Sequence, residues 1–96
     1  MDSAPRISLE QWRTFVAVVE AGGQAAAAAR LHKSQSTVTY AVKQLQALLG
    51  VRAFETRGRR AVPTATGQLL YQRAKAILED AEGLERVRQR AAVATR

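Results

Sequence analysis

Residues 25–49 read AAAAARLHKSQSTVTYAVKQLQALL and are followed by Gly50. An alanine-rich segment runs to Leu31, a break holds His32, Lys33 and Ser34, and a new periodic segment starts at Gln35. In that second segment Val38, Val42, Leu45 and Leu49 recur at helical spacing, so they predict one apolar face. The opposite face carries Gln35, Ser36, Thr39, Tyr40 and Lys43: hydrogen-bonding groups and one cation, but no carboxylate. Ser34 is placed to cap this helix and Gly50 to end it. Two helices joined by a short break, the second polar on its free side, make a helix-turn-helix pattern. A helix face without negative charge suits contact with a phosphate-lined groove.

The flanks extend the pattern. Ser8 is an N-cap candidate, and Gln11 three residues later completes a capping box. Leu9, Trp12, Phe15, Val16 and Val19 then predict a helix over 9–21, stopped by Gly22-Gly23. Trp12 and Phe15 share its aliphatic face, which favours a core role over base stacking. The five alanines of the next helix, about 24–31, permit close helix crossing, because alanine is small and the best helix former. After Gly50, Val51, Ala53 and Phe54 predict a short strand, residues 56–60 (TRGRR) a turn, and residues 61–63 a returning strand. Pro63 cannot donate to a ladder, so that strand is an edge or ends there. A hairpin with an arginine-rich tip is a wing, suited to a phosphate backbone or a minor groove; the alternative is a solvated loop.

Thr64 caps a last helix expected from Ala65 to about Arg90, with the tail from Ala91 frayed. Leu70, Ala74, Ile77, Ala81, Leu84 and Ala91 form a seam, which Leu69, Leu78 and Val87 broaden and Arg88 interrupts. About 26 residues at 1.5 Å each give roughly 39 Å, longer than the small core can cover. A second copy is the simplest partner for the far half. The alternative is a further domain downstream. Glu79, Asp80, Glu82 and Glu85 give this segment mixed charge, which speaks against a DNA contact there.

Ninety-six residues make one domain with at most an appended element. The chain has no cysteine, so neither disulfides nor thiolate chemistry is available, and His32 alone cannot build a metal site. No apolar run approaches the roughly 18 residues of a membrane span, and MDSAPR lacks a signal-peptide pattern. The expectation is a soluble, cytoplasmic protein without cofactor or metal. The net charge is +7, and all but three of its 15 cations are arginine. Residues 1–29 hold two cations and three anions; residues 61–96 hold six and four. Residues 30–60 hold Arg30, Lys33, Lys43, Arg52, Arg57, Arg59 and Arg60 against Glu55 alone, giving +6. Clustered positive charge attracts phosphate backbones and anionic membranes alike, and arginine favours bidentate phosphate and guanine contacts.

Several residues in this order resemble the DNA-binding domain of LysR-type transcriptional regulators. They are Glu20-Ala21-Gly22, Ala27-Ala28, Arg30-Leu31-His32, Ser34-Gln35, Leu45 and Leu49-Gly50, with Phe54, Arg59, Thr64 and Gly67 fitting the wing and the start of a linker helix. The resemblance covers about 9–91. It implies a mainly α, winged helix-turn-helix (three helices and a short β-hairpin, residues 1–63) followed by a long dimerising linker helix and tail (64–96). It implies antiparallel pairing of linker helices and two recognition helices in successive major grooves of double-stranded DNA. A periplasmic-binding-protein-like effector domain normally follows in such regulators, so an excised DNA-binding domain is expected in preference to a naturally short protein.

By that resemblance Gln35 opens the recognition helix, where glutamine can pair bidentately with adenine, and Thr39 is a hydroxyl able to donate to phosphate. Departures stand at Ser36 and Thr37, where proline and small residues are common, and at Tyr40, where arginine is frequent. Gly23, Gln24 and Ala25 replace a serine, an aromatic and a hydroxyl residue. Thr56, Arg60 and Pro63 replace a frequent arginine, glycine and leucine. The expected DNA contacts are Lys33, Lys43, Arg57, Arg59 and Arg60 on phosphates, with Ser34, Gln35, Ser36, Thr37, Thr39 and Tyr40 on base edges or adjacent backbone. The expected dimer seam is Leu70, Ala74, Ile77, Ala81 and Leu84.

Three other functions are weighed against this one. A non-specific architectural DNA- or RNA-binding protein would use the same charge. A protein-interaction or anionic-membrane module would use the long helix, whose mixed charge and uneven stripe disfavour it. An enzyme is disfavoured because Ser34 and Ser36 near His32 have no third orienting residue and no phosphate-binding glycine loop.

Overall fold

The computed structural model describes residues 6–58 and 60–95. The elements are α1 (Leu9–Ala21), α2 (Gln24–Leu31), α3 (Gln35–Leu49), β1 (Phe54–Arg57), β2 (Arg60–Pro63) and α4 (Ala65–Ala94). The first three helices fall on the expected boundaries, and each start and stop has a visible cause. The Gln11 N–H donates to Ser8 Oγ and the Ser8 N–H to Gln11 Oε1, closing the capping box. Ser34 Oγ accepts from the Thr37 N–H. Gly22 and Gly50 end α1 and α3 in the left-handed region. His32 does the same for α2 at φ 56°, so its backbone forms the stop of that helix.

The core lies where α1, α2 and α3 cross. Phe15, Val18, Val38 and Leu45 are fully enclosed. Ala27 and Ala28 are buried too, so a methyl-sized surface lets α2 lie close against its neighbours. Trp12 meets Phe15 edge-on at 5.6 Å, and Phe15 meets Phe54 at 5.3 Å. Phe54 thereby roots the hairpin in the helical core.

The hairpin starts later than expected. Val51 and Ala53 are not in it; β1 runs from Phe54 to Arg57 and pairs antiparallel with β2, with Arg57 opposite Arg60. The reason is competition for backbone groups. The N–H groups of Ala53 and Phe54 donate to Gln46 Oε1 at 3.0 and 3.2 Å, and the Ala53 carbonyl accepts from the Thr64 N–H. Gly58, at φ 62°, follows β1 where the chain turns back toward β2. Pro63 ends β2, where its missing N–H costs nothing.

The last helix is longer than expected: it continues through Ala91 to Ala94, about 45 Å at 1.5 Å per residue. Ala91, Ala92 and Ala94 favour helix, and the Thr95 hydroxyl donates back to the Ala91 and Ala92 carbonyls. Its first half packs on α1. There Tyr71 donates to Glu20 Oε2 at 2.8 Å and Lys75 Nζ lies 3.1 Å from the same oxygen. Consequently the expected seam divides. Ala74 is buried in the chain's own core and Leu70 packs against it, so Ala74 is unavailable to a partner. Ile77 and Leu84 are exposed, and Ala81 lines a groove of about 650 Å³ between α1 and α4. Leu69, Ile77, Leu84 and Val87 fall within about 80° of one another at 100° per residue, and all four are exposed.

Candidate nucleic-acid interface

Packing leaves the α3 residues singled out by their polarity on the surface. Gln35, Ser36, Thr37, Thr39, Tyr40 and Lys43 are all exposed, while Val38, Val42 and Leu45 point inward. Among the described residues Lys43 has no carboxylate within 4 Å. The first turn is a hydroxyl cluster: Ser34 Oγ lies 3.1 Å from Ser36 Oγ and 2.7 Å from Thr37 Oγ1. Ser34 is therefore engaged as the cap, and Ser36 and Thr37 present their remaining capacity outward. Tyr40 is 62% exposed, and its hydroxyl accepts from Gln44 Nε2.

The cations are not equally free. Lys33 Nζ sits 3.5 Å from Glu10 Oε1, and Arg57 Nη2 sits 3.4 Å from Glu55 Oε1. Exposed pairs of this kind are worth about 0–1 kcal/mol and are screened by salt, so an incoming phosphate can displace them. Arg57 and Arg60 stand opposite each other across the hairpin. Like charges directly paired destabilise a ladder; an anion between them relieves that repulsion. Arg59 lies outside the described residues.

The structure brings the start of α3 and the hairpin together. Gln35, Thr56 and Arg60 line one cleft of about 450 Å³ with Gly22, Gly23, Gln24, Ala25 and Ala26. The Arg60 guanidinium reaches back so far that a Cβ at Gly22 would lie 3.2 Å from Nη2. Hence Arg60 belongs to the mouth of the helix-turn-helix as well as to the wing. Among the described residues no cluster of three His, Cys, Asp or Glu could hold a metal, and no helix is long and apolar enough to cross a membrane.

Residues 9–68 match the family model for bacterial regulatory helix-turn-helix proteins of the lysR family. The chain belongs to the lysR family. The HTH-type transcriptional regulator YeiE of Escherichia coli K12 is 40% identical over 81 residues, which is 84% of this chain and 28% of that protein. In structure the chain is similar to the CbnR DNA-binding domain crystallised with DNA, at TM-score 0.79 and 42% identity, covering 91% of this chain and 99% of that one. It is also similar to the BenM DNA-binding domain in complex with a catB site, at TM-score 0.84 and 29% identity, covering 90% and 96%. The curated relatives are transcriptional regulators, not enzymes, and the chain spans under a third of their length. The winged helix-turn-helix expected from the sequence is the fold of this lysR-family chain.

Two positioning residues escaped the sequence reading. Gln46 holds the root of the wing through its side-chain oxygen. Thr64, read only as a cap, also donates to the Arg52 carbonyl at 2.7 Å. Neither carries a local signal, because both bonds cross seven or more residues. Gln24, noted only as a departure from the family pattern, accepts a hydrogen bond from Thr39.

Proposed function

We propose that this chain is the sequence-specific DNA-binding module of a bacterial transcriptional regulator, acting in the cytoplasm as a dimer on double-stranded DNA. The observation that carries the reading is the exposed, carboxylate-free face of α3 beside the arginine hairpin. In this reading residues 1–63 form the DNA-binding unit and 64–96 the linker. Gln35 leads α3 into the major groove, and Ser36, Thr37, Thr39 and Tyr40 follow toward base edges or the adjacent backbone. Lys43, Arg57, Arg59, Arg60 and Lys33, after leaving Glu10, neutralise phosphates. Ser34 contributes by capping α3 and fixing its first turn beside the adjacent backbone. The dimer forms through the exposed stripe of α4, with Ile77 and Leu84 at its centre and Ala81 at its margin. It sets two α3 helices about one helical turn, roughly 34 Å, apart.

Gln35→Ala separates this reading from a non-specific architectural one. Expected is a loss of roughly 1–3 kcal/mol on a selected duplex, with little change on a scrambled duplex of equal length. Equal weakening on both would remove Gln35 from base readout. Wild-type binding that unrelated DNA competes away as well as the selected site would favour the architectural reading.

A further inference from the structure

The α2 and α3 helices are tied by one side-chain bond near the proposed DNA-facing surface. Thr39 Oγ1 donates to Gln24 Oε1 at 2.5 Å. Gln24 is the first residue of α2 and half-buried in the wall of the cleft shared with Gln35 and Arg60, while Thr39 stands one helical turn beyond Gln35 and is exposed. A hydroxyl has one proton and two acceptor lone pairs. Once the proton is committed to Gln24, the Thr39 hydroxyl can only accept. A phosphate oxygen also only accepts, so the two cannot bond. In the major groove the donors are adenine N6 and cytosine N4.

We propose that Gln24 is a specificity-determining positioning residue: by taking the Thr39 proton it turns Thr39 from a phosphate donor into an acceptor that prefers adenine or cytosine over thymine or guanine on one strand at one base pair of each half-site. This deepens the DNA-binding reading and rests on it. Lys43 on α3 and Arg60 in the shared cleft only donate, so neither can take the Thr39 proton, and the two lone pairs of Gln24 Oε1 leave room for a second donor beside it. Glutamine's amide nitrogen keeps two protons and remains free to donate at the mouth of the cleft.

The test is in vitro selection from a random duplex library with the 96-residue chain, followed by affinities for every single-base change in the selected site. Gln24→Ala and Thr39→Val should each erase the same one-base-pair preference, by roughly fivefold. The double variant should lose no more than either single one. Gln24→Glu, whose carboxylate still accepts the Thr39 proton, should keep that preference while binding all sequences more weakly. A purely structural bond would weaken all sequences alike and leave the base preference intact in every variant; that outcome overturns the proposal. So does a Thr39-dependent preference that survives Gln24→Ala, while wild type still enriches a motif. If wild type enriches no motif, the reading beneath the proposal fails with it. Circular dichroism of each variant establishes that it is folded.

Discussion

Gly67 offers the sharpest test of how the wing, core and linker are joined. It is buried in the first turn of α4, and a Cβ added there would lie 2.1 Å from the Ala53 carbonyl oxygen and 3.3 Å from Pro63 Cβ. Carbon and oxygen normally approach to about 3.3 Å, so in Gly67→Ala the helix start must withdraw by about 1.2 Å. That movement strains two bonds, from the Thr64 N–H to the Ala53 carbonyl at 3.0 Å and from the Thr64 hydroxyl to the Arg52 carbonyl. Overpacking costs about 1–3 kcal/mol, and two weakened hydrogen bonds add about 2 kcal/mol. Alanine's helix propensity returns about 1 kcal/mol. The net expectation is a loss of about 2–4 kcal/mol. Chemical denaturation followed by circular dichroism, at one fixed chain concentration, measures it. At about 4–8 °C per kcal/mol for a domain of this size, the melting midpoint should fall by more than about 8 °C. An alanine variant as stable as wild type, or more so, would refute the close approach.

Three further outcomes are expected. Leu84→Glu places a charge on a residue that is 71% exposed; twofold symmetry would double a loss of about 1.5–3 kcal/mol per leucine, so sedimentation equilibrium should show dimerisation weakened at least about a hundredfold. The hydrogen bond from Tyr71, then that from Lys75, holds the Glu20 carboxyl below its ordinary value of 4.5. That contribution is present above the ordinary value and is lost as pH falls through the lowered one, so acid melting scans of Glu20→Gln should show a shallower decline than wild type. Replacing Arg59 with alanine should weaken binding to all duplexes together and reduce the slope of log K against log salt by about 1; an unchanged slope would count against a phosphate contact by the wing tip.

The helices were legible because their signals are local. Capping at Ser8 and Ser34, glycine stops after Ala21 and Leu49, and the spacing of Val38, Val42 and Leu45 need no knowledge of distant residues. The hairpin was legible in kind but not in register, because Gln46 and Thr64 take the backbone groups of Ala53 from across the chain. The long helix was legible in period but not in how its face divides. Ala74 and Ile77 are three residues apart on one seam, yet one faces the core and the other solvent. That split depends on how α4 crosses α1, anchored by Glu20, Tyr71 and Lys75. The polar face of α3 was legible as a surface, but the bond from Thr39 to Gln24, which decides what that hydroxyl can offer, was not.

Methylation protection of guanine N7 on a selected duplex tests the central claim most directly, because N7 lies in the major groove. Insertion of two α3 helices predicts protection in two patches about 10 base pairs apart, weakened in Gln35→Ala. A tightly bound duplex whose guanines stay as reactive as in free DNA would contradict the account.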